Sequence, residues 1–165
     1  MGRSVLSPSQ RIKEDCSDDS LFYLHPRFTH HLDEGFRSRL KQLYCQYITE
    51  GSIVLDLMSS WVSHLPENIK YKKVIGHGLN KKELESNKEL DSFWVQNLNI
   101  DRTLPLSDSS IDFCLMVAAW QYLQYPEDIA SELRRIIRPK GIFIVSFSNR
   151  AFWTKTPFIW KESTD

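Results

Sequence analysis

The chain has 165 residues, 41% hydrophobic and 25% charged, and its 21 basic and 21 acidic side chains leave no formal net charge. That length fits one domain with a sizeable core, and the balanced charge gives no electrostatic basis for binding nucleic acid or an acidic membrane. No apolar run approaches the ~18 residues of a membrane span, and no apolar leader opens the chain.

Cys16, Cys45 and Cys114 are far apart and odd in number, which matches neither a disulfide framework nor a zinc pattern. The adjacent His30 and His31 do not make a metal site either, because neighbouring residues rarely converge on one ion without further ligands. The expectation is a soluble cytoplasmic protein with no nucleic-acid, membrane or metal partner.

Residues 1–20 are rich in Ser, Pro and Asp and read as a mobile tail ahead of a domain over 21–165. Phe36, Leu40, Leu43, Tyr44, Tyr47 and Ile48 recur with helical spacing, so an amphipathic helix is predicted, ended by Gly51. Cys45 on this helix and Cys114 further on read as small core residues. Residues 53–57 form a short apolar run around Asp56, a strand buried on both faces, followed by a helix carrying His64. A second strand over 73–75 closes at Gly76, and Asn80 is a natural N-cap for a polar helix over 80–87.

Third and fourth strands are predicted over 93–98 and 111–119. "PEDIASELRRIIRP" (126–139) is the clearest helix. Its proline and acids suit the first turn, its arginines suit the last, and Ile129, Leu133, Ile136 and Ile137 make the buried stripe. "PKG" then leads into a fifth strand, "IFIVSF" (142–147). This alternation predicts an α/β protein with a mostly parallel sheet flanked by helices. Ligands of such sheets bind outside the carboxyl ends of the strands, here marked by Asp56, Gly76, Asn97 and Ala119.

In that order the block "LPLSDSSIDFCLMVAAWQYL" (104–123) followed by "PEDIASELRRIIRPKG" (126–141) resembles class I S-adenosylmethionine-dependent methyltransferases. Further strings, "PRFTHHLDEGF" (26–36), "LDLMSSWVSHLP" (55–66), "IGHGLN" (75–80) and "VSFSNRAFWTK" (145–155), are similar to a methyltransferase-like family of cyanobacteria and plant plastids. The resemblance implies a Rossmann-like methyltransferase fold, S-adenosylmethionine as cofactor and a small-molecule acceptor.

It also implies where the cofactor would lie. The acid ending the first strand is present as Asp56, but Leu57, Met58, Ser59, Ser60 and Trp61 stand where the family has a glycine loop. Serine hydroxyls could there replace backbone N–H contacts. The second strand closes at Gly76, and Gly78 falls at the place of the ribose-binding acid, with His77 beside it and Asn80 as the remaining polar candidate. Asn97, Leu98 and Asn99 fall at the adenine, and Ala118 and Ala119 beneath the sulfonium. His31, Asp33, His64 and Tyr122 are candidate bases and none is assigned, since methyl transfer needs mainly in-line placement. The aromatic, His-rich stretch 22–36 reads as a lid suited to a partly apolar acceptor.

The family continues past its fifth strand with an antiparallel hairpin, for which this chain has little room. "AFWTKTPFIW" (151–160) and the fifth strand would then be left uncovered, which leaves three readings open: a truncated chain, a second copy of the chain over the edge, or a shortened domain that binds a partner there. The missing glycines, ribose acid and hairpin favour an alternative, a non-catalytic methyltransferase-like binding or scaffold module. A nicotinamide enzyme is disfavoured, because no G-x-G-x-x-G follows the first strand.

Overall fold

The computed structural model describes residues 4–162. Its elements are α1 (Pro8–Arg11), α2 (Asp19–Phe22), α3 (Glu34–Tyr47), β1 (Ile53–Asp56), β2 (Lys73–Gly78), α4 (Lys81–Ser86), β3 (Ser92–Val95), β4 (Ile111–Val117), α5 (Pro126–Ile136), β5 (Ile137–Ser146) and α6 (Phe158–Glu162). The strands make one five-stranded sheet in the order β3-β2-β1-β4-β5 with every pair parallel. The α/β sheet expected from the alternating pattern is therefore present. Its order reverses between β1 and β4, the switch point where open α/β sheets bind ligands.

The apolar runs are explained by two covered faces. Ile53, Leu55, Cys114, Met116, Phe143 and Val145 point to one side, where Ile129, Leu133 and Ile136 of α5 pack. Val54, Phe113, Leu115, Val117, Ile142 and Ile144 point to the other, against Leu40 and Tyr44 of α3. Alternate side chains thus serve opposite faces, which is why the strands read as unbroken hydrophobic stretches. Cys114 is buried as expected, whereas Cys45 is exposed on the outer face of α3.

Several boundaries differ from those predicted. The first helix ends at Tyr47, and Gly51 instead supplies a positive φ of 76° in the turn before β1. β2 runs on to Gly78, while β3 stops at Val95 and β4 at Val117. The helix predicted after β1 is absent, and residues 57–72 are irregular. Met58 and His64 take positive φ values of 58° and 59°, outside helical geometry. Side chains near the end of α4 satisfy this segment's backbone. Glu89 accepts from the N–H groups of Ser63 (2.6 Å) and Leu65 (2.9 Å), and Asn87 donates to the Ser60 carbonyl (3.0 Å).

Residues 4–20, expected as a tail, pack against the C-terminal segment. Arg11 pairs with Glu127 of α5, and the Ile12 carbonyl accepts from the Phe158 N–H (2.9 Å). Lys13 forms an antiparallel bridge with Pro157, and its ammonium lies 2.7 Å from Asp19. Lys155, only 1% exposed, bonds the Ser17 carbonyl (2.8 Å) and the Asp15 carboxylate (3.0 Å). Charges that look solvated in sequence are partners in a buried network. The aromatic C-terminal run is partly covered too: Trp160 packs on Phe147, and Phe152 sits among Phe22, Tyr23 and Tyr122. β5 pairs with β4 alone, and among the described residues no strand follows it. Among them, too, no helix is long and apolar enough to cross a membrane.

Asp19→Asn removes the carboxylate facing both Lys13 and Lys155 while keeping side-chain size. Breaking such a buried pair is expected to lower the unfolding free energy by about 3 kcal/mol. Urea denaturation measures it, and a loss below about 0.5 kcal/mol would place the network with ordinary surface pairs.

Candidate functional site

Covered on both faces, β1 carries Asp56 into the interior, where it is 3% exposed. Burial pushes its carboxyl up to about 7, against the opposing pull of a hydrogen bond from the Ser59 hydroxyl (2.5 Å). The loop that follows bears side chains throughout and is tied to β2 by one imidazole. The Met58 N–H donates to His77 Nδ1 (3.1 Å), and the Ser59 N–H donates to the His77 carbonyl (2.6 Å). Accepting at Nδ1 leaves the ring proton on Nε2, which meets the Gln96 carbonyl at 2.9 Å. His77 is 1% exposed, and burial drives its pKa down to about 4, so it is a neutral post joining three strand ends.

The two β2 glycines expected near the ribose serve chain packing. A Cβ at Gly76 would stand 2.3 Å from the Leu90 side chain, and one at Gly78 would stand 2.5 Å from the Ser59 carbonyl oxygen. The close approach that the family expectation placed after β1 is thus made at Gly78, where the loop lies against β2. From α4, Glu83 accepts from the Ser60 hydroxyl (2.5 Å) and from the Arg27 backbone N–H (2.7 Å), linking the loop to the lid.

Between these parts lies a cavity of about 410 Å³ at the carboxyl ends of the strands. Met58, Ser59 and Ser60 line it from the β1 loop, and His77, Gly78 and Asn80 from the end of β2. Asn97, Leu98 and Asn99 line it after β3, and Ala118 and Ala119 after β4. Asp56, Leu57 and Gly76 do not reach it: all three are buried behind the wall. The amides that do reach it are already engaged. Asn80 caps α4 by accepting from the Glu83 N–H (3.1 Å) and donates to the carbonyls of Tyr23 (2.7 Å) and Leu24 (3.2 Å). Asn97 donates to Asp18 (2.9 Å), and Asn99 donates to Asp19 (2.8 Å) and to the Tyr122 carbonyl (3.0 Å). These groups hold the N-terminal segment across the end of the sheet.

The residues considered as bases separate. His31 and Tyr122 line the cavity, but the Tyr122 hydroxyl accepts from the Phe152 N–H (3.0 Å) and so fixes the C-terminal segment. Asp33 caps α3 by accepting from the Phe36 N–H (2.8 Å), and His64 is buried away from the cavity with its pKa lowered by burial to about 4. Sequence reading did not mark Asp19, Tyr23, Arg27, Glu83, Arg150, Phe152 or Lys155, all in the wall. The lid stretch 22–36 includes Tyr23 and Arg27 without giving either a role, and Phe152, which packs beside Arg27, is too distant in sequence to be signalled by spacing.

Residues 58–145 match the methyltransferase domain family, more than half of the chain. The chain belongs to that family. No curated protein sequence matches it. The methyltransferase domain resembles a chain in the complex of the Haloferax volcanii Trm112 methyltransferase activator with a methyltransferase, at a TM-score of 0.56 and 20% identity over 69% of this chain and 54% of that one. It is also similar to a SAM-dependent methyltransferase from Aquifex aeolicus (TM-score 0.53, 17% identity, 73% of this chain and 78% of that one). A third likeness is to Haemonchus contortus phosphoethanolamine N-methyltransferase 1, solved with phosphoethanolamine and S-adenosylhomocysteine (0.57, 14%, 73% and 28%). At these identities the likeness is one of fold. The chain spans about half the length of the Haloferax protein.

In this methyltransferase domain Asp56 sets a pH dependence. A carboxyl whose pKa is raised on folding stabilises the protein fully below about pH 4, and that contribution is lost as pH rises through 7. Asp56→Asn has no such loss. Its stability relative to the parent chain is expected to rise by about 2 kcal/mol between pH 5 and pH 7 and then to level off. Urea denaturation of both proteins across that range tests this, and parallel curves would contradict it.

Proposed function

We propose that the chain binds S-adenosylmethionine in the 410 Å³ cavity and transfers its methyl group to a small, partly apolar acceptor. The observation that carries this reading is the cavity's place, at the switch point of a methyltransferase domain sheet. Its volume lies in the range of small-molecule sites. The wall offers apolar surface from Leu98, Ala118 and Ala119, and it includes Arg27, a cation whose Nη1 has no hydrogen-bond partner. Those features fit a ligand with both apolar and charged parts.

In this reading Leu98 covers the adenine, and Met58, Ser59, Ala118 and Ala119 flank the amino-acid part. Glu83 supplies the carboxylate that β2 lacks: each of its oxygens accepts one hydrogen bond and keeps a lone pair for a hydroxyl. The bound cofactor contributes an electrophilic methyl group. The chain's own work is to place the acceptor beside Ala118 and Ala119, and to exclude water with Tyr23, Phe152 and the lid. Tyr122, whose pKa burial raises, stays protonated and acts as a wall. The narrower likeness to the cyanobacterial and plastid family rests on the four quoted strings, and the aromatic lid supports an acceptor with an apolar part.

A second reading, a non-catalytic scaffold, is favoured by one observation. The Met58 and Ser59 N–H groups, which would face the cofactor, are engaged by His77. The edge of β5, unpaired among the described residues, then offers a surface for a protein partner or a second copy of the chain, and the Haloferax likeness comes from a complex with an activator protein.

Calorimetric titration with S-adenosylhomocysteine separates the two. Binding at about 10 μM or tighter, roughly 7 kcal/mol, is expected. No binding by a folded, monodisperse sample would overturn the methyltransferase reading in favour of the scaffold.

A further inference from the structure

Arg27 occupies an unusual electrostatic position. Its backbone N–H is held by Glu83, and Nη2 donates to the Phe22 carbonyl (2.9 Å). The guanidinium carbon lies 4.6 Å from the ring centre of Phe22, 5.4 Å from that of Tyr23 and 5.5 Å from that of Phe152. Nη1 is buried without a hydrogen-bond partner, and Arg27 forms part of the cavity wall. No ion pair among the described residues includes Arg27. The other cations of the wall differ: Lys155 is matched by Asp15 (3.0 Å) and Asp19 (3.5 Å), and Arg150 is exposed and donates to the His31 carbonyl.

A buried N–H on a charged group is costly to leave unsatisfied, and ring faces attract the charge without accepting that hydrogen bond in line. The ligand matched to Arg27 is therefore an anion. Within the site, the donors that would receive a carboxylate at the β1 loop are spent on His77. Arg27 reaches that loop through one carboxylate, since Glu83 bonds both its backbone and the Ser60 hydroxyl.

We propose that Arg27 is the anchor for the α-carboxylate of the cofactor's amino-acid part, replacing the backbone donors of a glycine loop. This rests on the S-adenosylmethionine reading above and adds to it the residue that selects for the carboxylate. An unconventional loop then remains compatible with cofactor binding, because the anion is held from the lid side.

The test is a binding cycle on the full chain, read by calorimetry. It uses S-adenosylhomocysteine and its decarboxylated analogue, which keeps the amine, against the parent protein, Arg27→Met and Arg27→Lys. Methionine keeps the apolar stem against the three rings, and thermal melting reports folding. The parent is expected to prefer S-adenosylhomocysteine by roughly tenfold to a hundredfold, the worth of a charged hydrogen bond. Arg27→Met is expected to bind both ligands with the analogue's affinity, and Arg27→Lys to keep part of the preference. A preference unchanged in Arg27→Met places the carboxylate elsewhere and overturns the proposal. Equal weakening of both ligands makes Arg27 a packing residue and overturns it too, as does a parent that binds the two alike. A parent that binds neither removes the cofactor reading itself, a separate result. If Arg27→Met does not fold, an undiminished preference in Arg27→Lys overturns the anchor.

Discussion

A neutral imidazole organises this site. His77 accepts one backbone N–H from the β1 loop, gives its own backbone carbonyl to the next N–H, and meets the carbonyl of Gln96 beyond β3. Three strand ends are tied by one buried side chain, which works only while the ring is uncharged and carries its proton on Nε2. Burial secures that state by lowering the pKa to about 4. The loop's departure from a glycine-rich sequence follows from this tie. Its N–H groups face the protein, so the loop needs no freedom to wrap a ligand, and the close contact is absorbed at Gly78.

What the loop gives up, the chain's two ends supply. Residues 4–33 cross the carboxyl end of the sheet and are held there by the amides of Asn80, Asn97 and Asn99. The C-terminal segment closes over them through Lys155 and the packing of Phe152. The cavity wall is thus built from both termini as well as from the strand ends, with Arg27 wedged where they meet. A cavity built mainly from the β1 loop would be rigid. One completed by the ends of the chain depends on their clasp, and so on the buried charges of Lys13, Asp19 and Lys155.

The elements legible in the sequence were those governed by local or repeating chemistry. Pro126 and the acids at the start of α5, its arginines at the end, and its Ile and Leu stripe specify a helix without reference to the rest of the chain. Asn80 capping α4 is legible for the same reason. The doubly buried runs of β1, β4 and β5 are legible because both faces of a parallel sheet are covered. The predicted helix after β1 failed because its apolar spacing competes with long-range satisfaction of the backbone by Glu89 and Asn87. Residues 4–20 read as a tail because composition records charge but not pairing: Lys13 and Lys155 are 142 positions apart and share Asp19.

By itself the sequence determined the strand and helix alternation, the parallel sheet, the end of it where a ligand would lie, and eleven of the 26 residues that line the cavity there. Those follow from hydrophobic period and from the rule that ligands gather at carboxyl ends of strands. Only the tertiary structure decided what each residue does. Asp56 and Gly76 stand behind the wall, His77 is a post, and Asn80, Asn97 and Asn99 are fasteners. Glu83, and Arg27 within the lid stretch, line the cavity although the sequence gives neither a role. The reason is that a side chain's role at such a site depends on which of its polar atoms are already satisfied, and that is settled by partners far apart in sequence.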